Sequence, residues 1–461
     1  MTRALLVVAC FLSASALAQP LSADQQLARD IYRELIEIRT VHPDGDNTAA
    51  ARAMAKRLLD AGFDPADVRV LEPAPLKGNL VARLRGTGEL KPLLLLAHID
   101  VVEARKEDWS EGLDPFKLTE RGGYFYGRGT IDDKAMAAAY VASLIRYKRA
   151  GLRPKRDIIV ALTADEEGGT HNGVQWLLAN HRPLIEAEFA LSEGAMGRMV
   201  GGKPTLLGVQ VSEKMYLSFE LESTNAGGHS SLPRRDNAIF ELAAALDRLS
   251  THEFPAHVSY VLRMLAEKTV ESEAGDRAVA MRALAGGNAT EAQLRLVAES
   301  PSFNAQLRTT CVATRLEGGH ADNALPQRAK ATVNCRLLPG EKAEFVQAEL
   351  QRVAGPRVTV TAKNPLFESA ATDAQSPVMA AIARVGKGFW PSAELLPVMS
   401  AGATDGSRLR NAGIPTYGVT GIFIEHGEDR MHGRDERVAV KSLFDSVEFT
   451  YQLMVTLVTG P

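Results

Sequence analysis

Short apolar runs set between helical stretches are the feature that most narrows what this chain can fold into. The runs are Asn79–Leu84, 92–97 with Leu93-Leu94-Leu95-Leu96 inside it, Ile158–Thr163 and 189–191. A strand wetted on one face alternates polar and apolar residues, whereas a strand covered on both faces reads as nearly continuous apolar sequence. The runs therefore predict an α/β sheet with helices packed on it. Ser22-Ala23-Asp24-Gln25 spells a capping box, and Leu27, Ile31, Leu35 and Ile38 follow at helical spacing. A second helix is predicted to open at Asn47/Thr48 and to stop at Gly62.

From Lys214 the texture changes. Residues 216–221 alternate, and 236–249 read as a helix. A charged, helix-rich stretch covers 252–301, and 341–353 form another helix. After Pro365 the α/β pattern returns with a helix at 377–385, a strand at 395–398 and a closing helix at 440–457. One α+β unit is thus predicted to be inserted into an α/β unit, with a first catalytic part at 19–212, the insert at 213–363 and a second catalytic part at 364–461.

The sequence has 461 residues, with 45% hydrophobic, 24% charged and a net charge of -3. That is enough chain for a large core, and a balance that gives no electrostatic case for nucleic acid as a partner. Residues 1–18 read as a signal peptide: Arg3 precedes an apolar run ending in Ala16-Leu17-Ala18, a small-x-small cleavage pattern. The run is too short to span a bilayer, and no other stretch is long and apolar enough. The predicted location is periplasmic or secreted. Cys10 lies in a segment loosely resembling a lipidation site, but the apolar stretch before it is short. Cys311 and Cys335 flank a turn-like cluster at 318–323, between predicted strands at 309–316 and 329–338. Two readings fit them, a cross-strand disulfide in an oxidising compartment or two small buried thiols.

Polar residues stand where the apolar runs end. His98 follows 92–97 directly, with Asp100 two residues on. Glu166 and Glu167 follow 158–164, and Glu193 follows 189–191. Ligands of open α/β sheets bind at the carboxyl ends of strands, so three strands deliver His, Glu-Glu and Glu to one rim. Gly127-Arg128-Gly129-Thr130-Ile131-Asp132-Asp133-Lys134 is a glycine-hinged loop that opens a helix and is placed to bring Asp132 there. Imidazole and carboxylate without thiolate suit zinc or a related divalent ion. Convergent carboxylates repel unless cations lie between them. Other motifs fail: His252-Glu253-Phe254-Pro255-Ala256-His257 is one residue too long for HExxH and contains a helix-breaking proline. Ser192 lacks the first glycine of a G-x-S-x-G elbow.

Leu96-Ala97-His98-Ile99-Asp100, the 126–134 loop and Ala164-Asp165-Glu166-Glu167-Gly168-Gly169 together resemble the signatures of one co-catalytic di-zinc metallopeptidase family. It is the clan MH family of carnosine dipeptidases, aminoacylase, succinyl-diaminopimelate desuccinylase and bacterial glutamate carboxypeptidase. Gly227-Gly228-His229-Ser230-Ser231-Leu232-Pro233 is similar to its lid motif, and His432-Gly433-Arg434-Asp435-Glu436 to its last metal motif. The resemblance implies an α/β di-zinc exopeptidase domain with an inserted α+β lid and dimerisation domain. It implies that Asp132 bridges two zinc ions, replaceable by cobalt or manganese. His98 and Glu193 complete one site, Glu167 and His432 the other, with His426 as a rival to His432. Asp100 is implied to orient His98, Glu166 to be the general base, and His229, from the partner copy of a homodimer in many relatives, to stabilise the oxyanion.

Substrate contacts are expected from Arg336, as a bidentate partner for a carboxylate, with Asn323 and Gly402 as further candidates. The leading expectation is a dipeptidase or carboxypeptidase acting on small peptides with a free carboxylate. An N-acyl amino acid deacylase is the alternative within the same chemistry, and a non-catalytic metal- or peptide-binding protein the alternative outside it.

Overall fold

The computed structural model describes residues 20–363, 369–425 and 427–460. The predicted signal peptide and His426 lie outside the described residues. The first helix, Ala23–Glu37, starts at Ser22 with the capping box formed through Gln25. The second, Asn47–Asp60, is capped one residue earlier than expected, by the Asp46 carboxylate accepting from Ala49 N.

The large sheet has eight strands in the order Val68–Leu71, Asn79–Leu84, Ile158–Thr163, Leu93–His98, Phe189–Val200, Thr416–Glu425, Lys203–Glu213 and Glu394–Ser400. Leu93–His98 runs parallel to both Ile158–Thr163 and the start of Phe189–Val200. Its side chains divide between two cores. Leu93, Leu95 and Ala97 join the core beneath helices Ala23–Glu37, Lys134–Arg149 and Val440–Thr459, while Leu94 and Leu96 join the core beneath Gly173–Asn180. Both faces are therefore covered, which is why the run carries no polar alternation. Each such leucine contributes about 2 kcal/mol relative to exposure.

Three strands of this sheet are not legible in the sequence: Val68–Leu71, Lys203–Glu213 and Thr416–Glu425. Thr416–Glu425 is central yet interleaves threonine and glycine with its apolar residues. Gly418 is required there by close approach, since a Cβ at that position would lie 2.3 Å from the Glu193 carbonyl oxygen.

The chain leaves the large sheet at Glu213 and enters a second sheet at Met215. This lid sheet has the order Thr310–Gly318, Arg328–Leu337, Met215–Thr224 and Thr359–Ala362, entirely antiparallel. Helices Ala238–Ser250 and Ala343–Ala354 cover one face and close a core of their own. Cys311 and Cys335 are directly paired across the hairpin and form a disulfide.

The helical stretch becomes Tyr260–Thr269, Gly275–Ala285, Glu291–Ala298 and Pro301–Leu307, with a separate core. The sequence reading attached it to the lid alone. Instead Tyr260–Thr269 lies against Glu394–Ser400, the outer strand of the large sheet. Lys268 pairs with Glu394 at 2.6 Å, and Gln306 Nε2 donates to Met399 O at 2.8 Å. The insertion thus covers a sheet edge that would otherwise present unpaired backbone groups.

Candidate active site

Five segments of the large domain bring their polar side chains to one place. Leu93–His98 ends in His98, which is 2% exposed. The turn after Ile158–Thr163 carries Glu166 and Glu167, and Phe189–Val200 carries Glu193. The loop before Lys134–Arg149 carries Asp132, and the segment before Arg437–Ala439 carries His432.

The two oxygens of Asp132 face different imidazoles. Oδ1 lies 2.9 Å from His98 Nε2, and Oδ2 lies 3.1 Å from His432 Nε2. Glu193 approaches His98 Nε2 at 3.7 Å, and Glu167 approaches His432 Nε2 at 2.9 Å. His98 and Glu193 lie on one side of Asp132, and Glu167 and His432 on the other. Ligand atoms of His98, Asp132 and Glu167 lie within 4.8 Å of one another, as do those of His98, Glu166 and Glu193.

His98 Nδ1 donates to the Asp100 carbonyl oxygen at 3.0 Å, which turns Nε2 toward the carboxylates as the nitrogen that ligates once its proton is displaced. The Asp100 carboxylate is farther from that ring, at 3.6 Å. It instead accepts from Glu166 N at 3.2 Å and Glu167 N at 3.0 Å. Asp100 therefore sets the position of the Glu-Glu turn as well as the ring of His98. Lys77, paired with Asp165 at 2.8 Å, holds the same turn from behind. No local signal in the sequence marks Lys77.

Electrostatics show what the cluster suits. Burial pushes the Glu193 carboxyl up to about 7, against the opposing charge of His98. Burial, together with Glu193, raises Glu166 well above the usual carboxylate range. Hydrogen bonds to Asp132 and Glu167 push His432 up to about 10. Burial disfavours charge on His98, yet Glu193, Asp100 and Asp132 outweigh it and hold its pKa well above the ordinary value. These are acceptors turned toward one another, kept together by protons on the imidazoles. Divalent cations satisfy the same geometry with imidazoles neutral and carboxylates ionised, so the donor set fits two metal ions.

Beside the cluster opens a cleft of about 420 Å³. Glu166 and Glu167 line its floor, Lys214, Tyr216 and Arg336 the lid side, and Gly402 and Asp405 the opposite wall. Arg336 is half-buried with its guanidinium 4.9 Å from the Tyr216 ring centroid, and no ion pair to a carboxylate is formed among the described residues. Gly402 lines the cleft, but its N–H is already given to Ser400 Oγ at 3.0 Å. The wall behind it is set by Glu213, fully buried, which pairs with Arg410 at 2.9 Å and accepts from Thr404 N and Oγ1.

His229 and Asn323 do not line this cleft. They sit together on the lid, where Gly228–His229 pairs with Ala324–Leu325 and Asn323 O accepts from Ser230 N. His229 is exposed, with Nδ1 2.7 Å from Ser231 Oγ.

A family model described as Peptidase family M20/M25/M40 matches residues 94–456. The chain is 29% identical over 377 residues to the N-fatty-acyl-amino acid synthase/hydrolase PM20D1 of Xenopus tropicalis, covering 79% of this chain and 72% of that protein. It is 28% identical over 444 residues to aminoacylase-1 of Sus scrofa, covering 94% and 95%. Among solved structures, the M20 family metallo-carboxypeptidase Sso-CP2 of Sulfolobus solfataricus superposes with a TM-score of 0.68 at 18% identity, covering 93% of this chain and 98% of that one. A dinuclear metal-binding M20 peptidase of Bacillus subtilis matches with a TM-score of 0.59 at 13% identity, covering 95% and 99%. With a matched family model across most of its length and a His/Asp/Glu cluster fit for metal, the chain is a hydrolytic enzyme and belongs to peptidase family M20/M25/M40.

Proposed function

We propose that the protein cleaves the amide bond that joins an acyl or aminoacyl group to an amino acid bearing a free carboxylate, with small peptides as its substrates. The observation that carries this is Arg336, a half-buried guanidinium without a carboxylate partner among the described residues, in the same cleft as Glu166 and Glu167. A planar fork of donors in that position suits a substrate carboxylate bidentately. N-acyl amino acids are the second reading, favoured by the aminoacylase-1 likeness over 94% of the chain.

His98 and Glu193 would hold one ion, Glu167 and His432 the other, with Asp132 between them; zinc suits the nitrogen and oxygen donors. Such ions, when bound, acidify water and polarise a carbonyl. The chain's own groups do the rest. Arg336 fixes the carboxylate end of the substrate. Glu166, whose carboxyl is raised by burial, takes a proton from the attacking water and returns it to the leaving amine. His229 supplies a donor to the developing oxyanion. Because it is exposed and outside the cleft of its own chain, it serves the cleft of a second copy in this reading.

A homodimer through the lid is proposed accordingly. The outer lid strand Thr310–Gly318 is mostly exposed, with Val312 and Leu316 open to solvent, and Phe240 on the neighbouring helix is exposed as well. Domain boundaries at 213 and 363 are supported by the separate lid core. Export is proposed from the N-terminal pattern and supported by the Cys311–Cys335 disulfide, since such bonds persist in oxidising compartments. No helix among the described residues is long and apolar enough to cross a membrane.

The test is amine release from a panel of dipeptides and N-acetyl amino acids by metal-loaded protein, with and without a chelator. Chelator-sensitive release supports the reading, and the preferred member separates peptidase from deacylase. Two bound metal ions without release from any member would favour the binding protein.

A further inference from the structure

The segment that supplies His432 also reaches beneath the loop that supplies Asp132. Glu436, fully buried, carries the contact. Its Oε1 accepts from Ile131 N at 2.8 Å and lies 3.5 Å from Asp132 N and 3.4 Å from Thr130 Oγ1. Its Oε2 accepts from Gly129 N at 3.2 Å and from Arg128 Nη1 at 2.6 Å. The Glu436 carbonyl accepts from Gly127 N, and Arg128 Nη2 donates back to Gly433 O at 3.1 Å.

We propose that Glu436 is a positioning residue, an anionic clamp that fixes the backbone of 129–132 so that Asp132 presents one oxygen toward His98 and the other toward His432. The inference rests on the metal-site reading above. A buried ion pair serving stability alone needs only Arg128. Here the same carboxylate also gathers the backbone N–H groups of Gly129 and Ile131, a concavity that binds anions and fixes loop shape. The consequence is geometric. Asp132 must satisfy two partners at once, and a carboxylate serving two ions tolerates little displacement of its backbone. Because Glu436 lies four residues after His432, the clamp also locks the distance between the bridging carboxylate and the imidazole of the second ion. Arg128, 3% exposed, offsets the charge of Glu436, so the clamp adds no net negative charge behind the cluster.

Two substitutions separate a clamp from a simple ion pair. Glu436→Gln keeps the shape and removes the charge. Glu436→Asp keeps the charge beside Arg128 and withdraws it from the backbone donors. Zinc affinity of each is read by competition with a chromophoric chelator, alongside kcat and KM. The expected result for both is loss of affinity for one of the two ions by about 10–100-fold, with kcat reduced and KM little changed. Wild-type zinc affinities and kcat in either folded variant overturn the proposal, as does full recovery by Glu436→Asp, which would reduce the role to charge balance. A measurement on the unaltered chain covers variants that do not fold: in chelated wild-type protein the Ile131 amide should stay protected from hydrogen exchange. Exchange as fast as in the exposed 231–235 loop overturns the clamp. Absence of zinc binding by wild-type protein would instead sink the metal-site reading, and the amide result would still report on Glu436.

Discussion

The rim of the large sheet and the lid hold their polar residues in opposite ways. On the rim, His98, Asp100 and Glu436 are buried, and each is engaged by several partners from distant parts of the chain. On the lid, His229 is exposed and bonded to its own loop, and Arg336 rests on an aromatic ring without a carboxylate partner among the described residues. The difference follows from what each must do. Groups that hold metal need fixed positions, and where they are buried, as His98 is, only a complete hydrogen-bond network offsets the cost of desolvation. Groups that meet the substrate stay uncommitted, because a donor already paired gives nothing to a ligand.

The comparison breaks first at the metal. Removing it with a chelator should abolish turnover, and readdition of zinc should restore it; activity that survives verified metal loss would leave the rim without a catalytic purpose. Next comes Glu166→Gln, for which kcat should fall by about 10²–10⁴-fold with zinc content unchanged. Undiminished kcat would remove Glu166 as the base. Arg336→Met should lower kcat/KM by roughly 10–150-fold, corresponding to one charge-assisted contact of about 1.5–3 kcal/mol, mainly through KM. An equal loss confined to kcat would place Arg336 in the rim's class instead of the lid's.

A smaller effect is expected with pH. His432 is pushed up to about 10 by Asp132 and Glu167. A histidine with a raised folded pKa stabilises the metal-free fold fully below about 6.5, and that stabilisation is lost as pH rises toward about 10. Zinc must displace this proton, so zinc affinity should move oppositely and increase with pH. Thermal melts of chelated protein and zinc competition, both across pH, should show opposite slopes; parallel slopes would argue against proton–metal exchange at His432. Smallest for function is the lid staple. Replacing Cys311 and Cys335 together by alanine should lower stability by about 2–4 kcal/mol through the 24-residue separation it closes. The kcat should be little changed, because neither cysteine lines the cleft.

Much of the site was legible because it is written locally. The run that makes Leu93–His98 a two-sided strand also places His98 at its end, and the same logic places Glu166, Glu167 and Glu193. Asp132 and His432 came instead from motif resemblance, as spacing alone does not separate Asp132 from Asp133. The cross-strand pairing of Cys311 and Cys335 followed from hairpin symmetry, although sequence left bond and thiols equally open.

What the sequence by itself determined is therefore period and endpoint: which stretches are buried on both faces, where helices start, and which polar residues stand at strand ends. Only the tertiary structure decided partnership. It set His432 against Glu167 across 265 residues, turned the Asp100 carboxylate to the Glu-Glu backbone, laid the helical insertion on an outer strand, and seated a glycine-bearing strand at the centre of the sheet. It also placed Glu436 under the Asp132 loop. The physical reason is that burial periodicity is a property of neighbouring residues, whereas a satisfied buried carboxylate depends on donors that the fold alone brings within reach.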